Sequence, residues 1–305
     1  MKRSPTGAER GVSCRMSETG LHQGRMVVAT AIRAAHEAGA IAREGFRGGD
    51  LGVAIKTDMH DVVTHFDRAA EAHIRGVILE CFPDSAIVGE EAGETAGAGP
   101  LTWYIDPIDG TSNFARGIAM WAVSIGVAVA GEMVAGVIYD PVAAQLFWAD
   151  ERGAFLAEQP VDATDALVRS RPLQSVGATV PAQATVALNF PLARDLVHFP
   201  ELALEQFAEV TRTFAQVRGL GSTCIALAWI AAGWLDATVS FETNPWDVAA
   251  GAFIIRRAGG VYRSYAHGEA LPEHGDHLGP HYYAAVAGGD FELLHEIMRT
   301  QSRRP

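Results

Sequence analysis

The chain has little cysteine. Cys14, Cys81 and Cys224 are scattered over 305 positions, too few and too far apart for a disulfide framework or for zinc spacing. A reducing, cytoplasmic setting fits such usage. Positive charge is also short: 24 Lys and Arg stand against 36 Asp and Glu, a formal net charge of −12. That balance disfavours nucleic acid as a partner and suits metal cations. Two uncharged runs, 117–131 and 219–235, fall short of the roughly 20 residues that a bilayer span needs. Both carry interior glycine and read as buried core, so no membrane partner is expected. Residues 1–25 have no apolar centre, which argues against a secretory signal. They read as a flexible leader, or as an upstream start with Met16 or Met26 as the working beginning.

What remains is the composition of an ordinary globule, 49% hydrophobic and 20% charged. Its length allows a sizeable core, in one large domain or two coupled halves. Apolar positions recur at helical spacing from Met26 to Phe46 and from Thr64 to Leu79, with Thr64 as the expected N-cap. Strands are expected at 86–88, from Trp103 to Asp106, and at 121–130 and 133–139 about a Gly131-Glu132 turn. Further strands follow at 144–148 and 154–156. The polar stretch 161–172 marks the passage from an N-terminal half, 26–165, to a C-terminal half, 166–300. The second half opens with a strand at 185–188 and a helix at 202–214. A glycine-rich junction at 217–222 then leads into an apolar helix, 224–235. A strand at 238–241 and a helix beginning at Pro245 complete the pattern. His267, His274, His277 and His281 lie among Gly and Pro and read as a solvated loop.

The most informative stretch is 103–117, Trp-Tyr-Ile-Asp-Pro-Ile-Asp-Gly-Thr-Ser-Asn-Phe-Ala-Arg-Gly. Pro107 disfavours helix at Asp106, so the strand is expected to stop at that carboxylate. Asp109-Gly110-Thr111 then reads as a tight turn opening a short helix. A few carboxylates and one main-chain carbonyl, here that of Ile108, suit a hard cation such as Mg²⁺. The stretch holds no imidazole or thiolate, the ligands that softer metals prefer. The Gly110 and Thr111 amides would face an anion at the helix start. Taken alone, each acid has a plainer reading. Asp109-Gly110 would be a turn, Glu90 a solvated strand end, Lys56 a strand-end lysine, and Asp67 and Asp247 first-turn partners of a helix dipole.

Asp106-Pro107-Ile108-Asp109-Gly110-Thr111, with Gly89-Glu90-Glu91 upstream and Trp246-Asp247-Val248-Ala249-Ala250-Gly251 downstream, resembles the inositol monophosphatase family of Mg²⁺-dependent phosphomonoesterases. The resemblance runs from about Met26 to the Gly288 region. It implies an α/β fold, a layered α-β-α-β-α sandwich of the sugar-phosphatase type. It implies that Glu90, Asp106 and the Ile108 carbonyl hold one Mg²⁺, that Asp106, Asp109 and Asp247 hold a second, and that Glu90 pairs with Thr111 to line up the attacking water. Asp67 and Lys56 would line the same site. Asp109, Gly110, Thr111, Gly221, Ser222, Thr223, Ser240 and Asp247 would contact a small phosphomonoester. A homodimer and lithium inhibition follow by the same analogy.

Seven residues before Asp247, inositol-handling relatives place a glutamate, whereas this chain has Ser240, with Glu242 two residues on. Inositol monophosphate is therefore the family default, with histidinol phosphate, fructose 1,6-bisphosphate and other polyol or sugar phosphates open. Ser112-Asn113-Phe114 departs from the Lys-Glu-Phe of phosphoadenosine-type relatives. A regulatory module that keeps the fold and acts through a protein or RNA partner is disfavoured because every motif acid is intact. A Ca²⁺-stabilised structural domain is disfavoured because its loops cluster acids within about a dozen residues.

Overall fold

The computed structural model describes residues 18–48, 51–55, 62–160, 162–193 and 195–303. Its framework is two sheets with helices between and outside them. The eight-stranded sheet runs, edge to edge, Arg171–Pro172, Gly153–Glu158, Gln145–Asp150, Glu132–Asp140, Ala122–Val129, Leu101–Asp109, Ala86–Gly89 and Gly93–Thr95. The six-stranded sheet runs Gln216–Arg218, Thr185–Leu188, Ala237–Phe241, His281–Ala285, Val261–Ala266 and Glu269–Ala270. Ala54–Ile55 and Val62–Val63 form a separate ribbon.

Side-chain alternation along the strands creates the layers. On the first sheet Val123, Ile125 and Val127 pack under the helices Glu18–Gly45 and His65–Cys81. On the second, Tyr283 and Ala285 meet the outer helices Pro200–Thr213 and Glu292–Gln301, while Tyr282 and Ala284 face inward. Between the sheets lie Thr223–Ala231 and Pro245–Arg257, whose Leu227, Ile230, Val248 and Ile254 share a core with both. The result is an α-β-α-β-α sandwich, as the family resemblance implies. Two glycines set how closely the inner helix approaches. A Cβ at Gly126 would stand 2.8 Å from that of Ala249, and one at Gly136 would stand 2.6 Å from the Ala250 carbonyl.

Several elements depart from the periodicity. The first helix starts at Glu18, ahead of Met26. The central strand does not stop at Asp106. It continues through Pro107 to Asp109, with a register shift between the two aspartates, because a residue without an N–H is tolerated where the ladder is interrupted. Part of the polar passage forms a helix, Ala163–Arg169, started by Asp162 accepting from the Asp165 amide at 2.8 Å. Arg171–Pro172 then joins the first sheet, so that sheet extends past residue 165. Among the described residues no helix is long and apolar enough to cross a membrane.

The solvated-loop reading of the histidines is corrected for two of the four. His281 lies in a central strand and His277 packs edge-on against Tyr104 at 5.0 Å, with exposures of 7% and 2%. Gly and Pro in sequence mark a turn, and a turn can still fold back onto a core. Burial, with Arg256 nearby and only partly offset by Glu132, pushes the His277 imidazole down to about 4. The native ring therefore stays neutral where the unfolded one, near 6.5, takes up a proton. Its contribution is complete above about pH 6.5 and declines as pH falls toward 4, by on the order of 1–3 kcal/mol. His277→Gln should flatten that part of the profile, read as the urea midpoint at pH 7 against pH 5.

Candidate metal and active site

Strand Leu101–Asp109 delivers Asp106, the Ile108 carbonyl and Asp109 to one end of the first sheet. Gly110 then turns the chain at φ 91° into the short helix Thr111–Ala115. A side chain at Gly110 would meet the Met120 and Gly221 carbonyls at 3.0 and 3.1 Å, so this turn needs glycine on both conformational and steric grounds. Gly221, at φ 68°, faces it from the other half. Asn113 ties the two turns together, donating from Nδ2 to the Met120 carbonyl at 2.7 Å and the Leu220 carbonyl at 2.8 Å.

Glu90 follows strand Ala86–Gly89, which runs parallel to the central strand. Its amide donates to the Ile105 carbonyl at 3.3 Å, and its carboxyl is within hydrogen-bond reach of Asp106. The turn behind it is held by Glu71, 1% exposed, which accepts from the Glu91 amide at 2.7 Å and the Ala92 amide at 3.0 Å. Asp67 is the third residue of its helix. Its Oδ2 accepts from the Thr64 amide at 2.8 Å and the Thr64 hydroxyl at 2.6 Å, closing a capping box. Its Oδ1 faces the Thr111 hydroxyl at 3.1 Å, and that hydroxyl also lies 3.0 Å from the Ile108 carbonyl. Asp247 occupies the equivalent place in the helix Pro245–Arg257, accepting from the Asn244 amide at 2.7 Å. The dipole-partner reading of both acids is thus locally right, and both also reach the site.

Asp109 links the central strand to the start of the helix Thr223–Ala231. It accepts from the Ser222 hydroxyl, from the Cys224 amide at 2.9 Å and from the Thr223 amide at 3.2 Å. Ser222 in turn caps the helix Thr223–Ala231 by accepting from the Ile225 amide at 3.2 Å. Ser222 and Thr223 therefore hold Asp109 in place. Ser240, 2% exposed on strand Ala237–Phe241, lines with Ser222, Thr223 and Asn189 a cavity of about 10 Å³, room for about one water.

Burial raises Asp106 well above the usual carboxylate range, and Glu90, Asp109 and Asp247 add repulsion. Burial likewise lifts Asp109 to about 6, against the pull of its three donors, and Asp247 to about 8. Among the described residues no positive side chain figures among the largest influences on these three. Among the described residues no group of three or more His, Cys, Asp and Glu side chains stands ready at metal-holding distance. The donor set is nevertheless all oxygen, with Asp106 and Asp109 buried and Glu90 and Asp247 half-buried, and it crowds negative charge. That fits a hard divalent cation, which takes oxygen ligands and keeps part of its water shell.

The structure thus gathers Asp67, Glu90, Asp106, Ile108, Asp109, Gly110, Thr111 and Asp247 with Gly221, Ser222 and Thr223. Lys56 lies outside the described residues. Sequence reasoning missed Glu71, Asn113, Ser124 and Cys224. Glu71 alone had a local signal, lying one turn after Asp67 on the same helix face.

Fold and site define a layered α/β protein that presents buried carboxylates at a junction between its two sheets. The chain belongs to the inositol monophosphatase family, whose profile matches residues 24–299. Among relatives, the Nus factor SuhB of Pasteurella multocida (strain Pm70) is 32% identical over 269 residues, 88% of this chain and 94% of that one. The fructose-1,6-bisphosphatase/inositol-1-monophosphatase of Aquifex aeolicus (strain VF5) is 33% identical over 205 residues, 66% and 72% of the two chains. Among solved structures, the extragenic suppressor protein SuhB of Bartonella henselae superposes with a TM-score of 0.73 at 25% identity, covering 92% of this chain and 99% of that one. Inositol monophosphatase from Anabaena (Nostoc) sp. PCC 7120 gives 0.70 at 26% identity, covering 91% and 95%.

Proposed function

We propose that this protein is a Mg²⁺-dependent hydrolase of a small phosphomonoester, inositol monophosphate or a related polyol or sugar phosphate. The observation that carries the reading is the contact of Glu90 with the buried Asp106, on which Asp109 and Asp247 also act. Glu90, Asp106 and the Ile108 carbonyl would hold one ion, and Asp106, Asp109 and Asp247 would hold a second. Bound Mg²⁺ supplies the positive charge and Lewis acidity that phosphoester hydrolysis requires at neutral pH. The chain's own residues do the positioning. Asp67, pinned by Thr64, offers its free-facing oxygen to the Thr111 hydroxyl, and the Thr111 side chain orients a water toward phosphorus. This gives Asp67 the partnership with Thr111 that the family resemblance assigns to Glu90.

Thr111→Val keeps the shape and loses the hydroxyl. It should lower turnover by about a hundredfold and leave Mg²⁺ binding intact, and an unchanged rate would move Thr111 to the substrate side. Substrate choice rests on the strand that carries Ser240. Glu242, exposed just beyond it and turned by a left-handed backbone at φ 57°, is the acid nearest in sequence to a polyol-contacting role. A homodimer and lithium sensitivity belong to the same reading and rest on family resemblance alone.

The test is Mg²⁺-dependent phosphate release across inositol monophosphate, histidinol phosphate, fructose 1,6-bisphosphate and nucleoside monophosphates. Release from one class, lost with EDTA, supports the proposal and selects the substrate. Absence of release from all of them would overturn it.

A further inference from the structure

The first turn of the helix Pro245–Arg257, which carries Asp247, is gripped by two side chains from distant parts of the chain. The Ser124 hydroxyl donates to the Trp246 carbonyl at 3.3 Å, and the Cys224 thiol donates to the Asp247 carbonyl at 3.2 Å. Both residues are fully buried, and the hydroxyl and thiol lie within hydrogen-bond reach of each other.

Each gripping residue is also tied to one of the other two aspartates. Ser124 is the cross-strand partner of Asp106. Cys224 donates its own amide to Asp109. Cys224 belongs to a mainly apolar core that includes Leu227, Val248 and Ile254 with Tyr262 and Tyr282, where a polar side chain is costly unless bonded. Alanine would fill either place without that cost. Carbonyls in a helical turn already have amide partners within the helix, so neither donor is needed to satisfy the backbone. Packing therefore does not account for two donors converging on this one turn.

We infer that Ser124 and Cys224 are positioning residues that fix the spacing of Asp247 from Asp106 and Asp109, and through it the affinity for Mg²⁺ and its discrimination from a larger divalent cation. The inference rests on the two-ion reading above. Mg²⁺ demands short, near-octahedral oxygen geometry, whereas Ca²⁺ tolerates longer and irregular coordination. A turn free to drift should therefore lose Mg²⁺ affinity first.

The experiment is calorimetric titration of the full chain with Mg²⁺ and with Ca²⁺, together with thermal melts in EDTA. The proteins are wild type, Ser124→Ala, Cys224→Ala, the double variant and Cys224→Ser. Partners behind a ligand typically carry at least a factor of ten in metal affinity, so the double variant should bind Mg²⁺ about tenfold more weakly. Its Ca²⁺ affinity should change much less, and its metal-free melting temperature should stay within about 2 °C of wild type. Cys224→Ser, which still donates, should recover most of the loss. Mg²⁺ affinity unchanged in the double variant would overturn the inference and leave the phosphatase reading standing. Equal weakening of both cations with a lowered metal-free melting temperature would also overturn it, reducing the pair to ordinary core packing. A wild-type chain that binds no Mg²⁺ would remove the two-ion reading and this inference together.

Discussion

Asp106→Asn is expected to abolish Mg²⁺-dependent phosphate release, by at least about a thousandfold or ~4 kcal/mol of barrier, while the metal-free protein melts no lower than wild type. The two halves of this expectation have one cause. Asp106 is 2% exposed and is pushed upward by burial and by three neighbouring acids, so without a cation it strains the fold it serves. An amide has the same shape and keeps an oxygen to accept the Ile108 amide, a bond of 3.0 Å in the native chain. It removes the repulsion and also a donor assigned to both ions. Phosphate release and a melt in EDTA check the two parts separately. A variant that melts well below wild type would make Asp106 a structural residue.

Asp109→Asn should lose activity to a similar degree with the opposite effect on stability. Its carboxylate accepts three donors from the junction before the helix Thr223–Ala231, and an amide turns one accepting oxygen into a group that donates. One donor from the opposite half is then left facing another. Bonds to a buried charged acceptor are worth about 1.5–3 kcal/mol each, partly offset here by relief of repulsion, so a net loss of about 2 kcal/mol is expected. Urea unfolding without metal measures it. Equal stability of the two asparagine variants would show that Asp109 is not the strut between the halves.

Much of the site was legible because its chemistry is local. Asp106 to Thr111 lie on one strand and one turn, and Asp67 and Asp247 follow helix-start signals, Thr64 in one case and Asn244-Pro245 in the other. Strand limits were legible where apolar runs ended in Gly, as at Gly131, and helix limits where a cap stood. Pro107 misled because residue-level rules describe an intact ladder, whereas this ladder skips a step between Asp106 and Asp109. His277 misled because burial of a turn depends on what folds over it, and His281 because it opens a strand, His281–Ala285, inside the second sheet. The pairing of Asp109 with Ser222 and the grip of Ser124 on the Trp246 carbonyl join residues more than a hundred positions apart in sequence, and Cys224 reaches Asp247 across 23. No periodicity encodes such contacts, which exist only once the two sheets have met.

Asp67 and Asp247 each sit third in a helix and are fastened by an amide of the residue that starts it. Their orientation is therefore settled when those helices form, before any ion arrives. On the proposed reading a cation would meet Asp247, and a water the Asp67–Thr111 pair, already immobilised, and binding would carry little additional loss of side-chain freedom. Such preorganisation predicts an apo and a metal-bound backbone that superpose closely around these two residues, with adjustment confined to Glu90, which has no helix to anchor it.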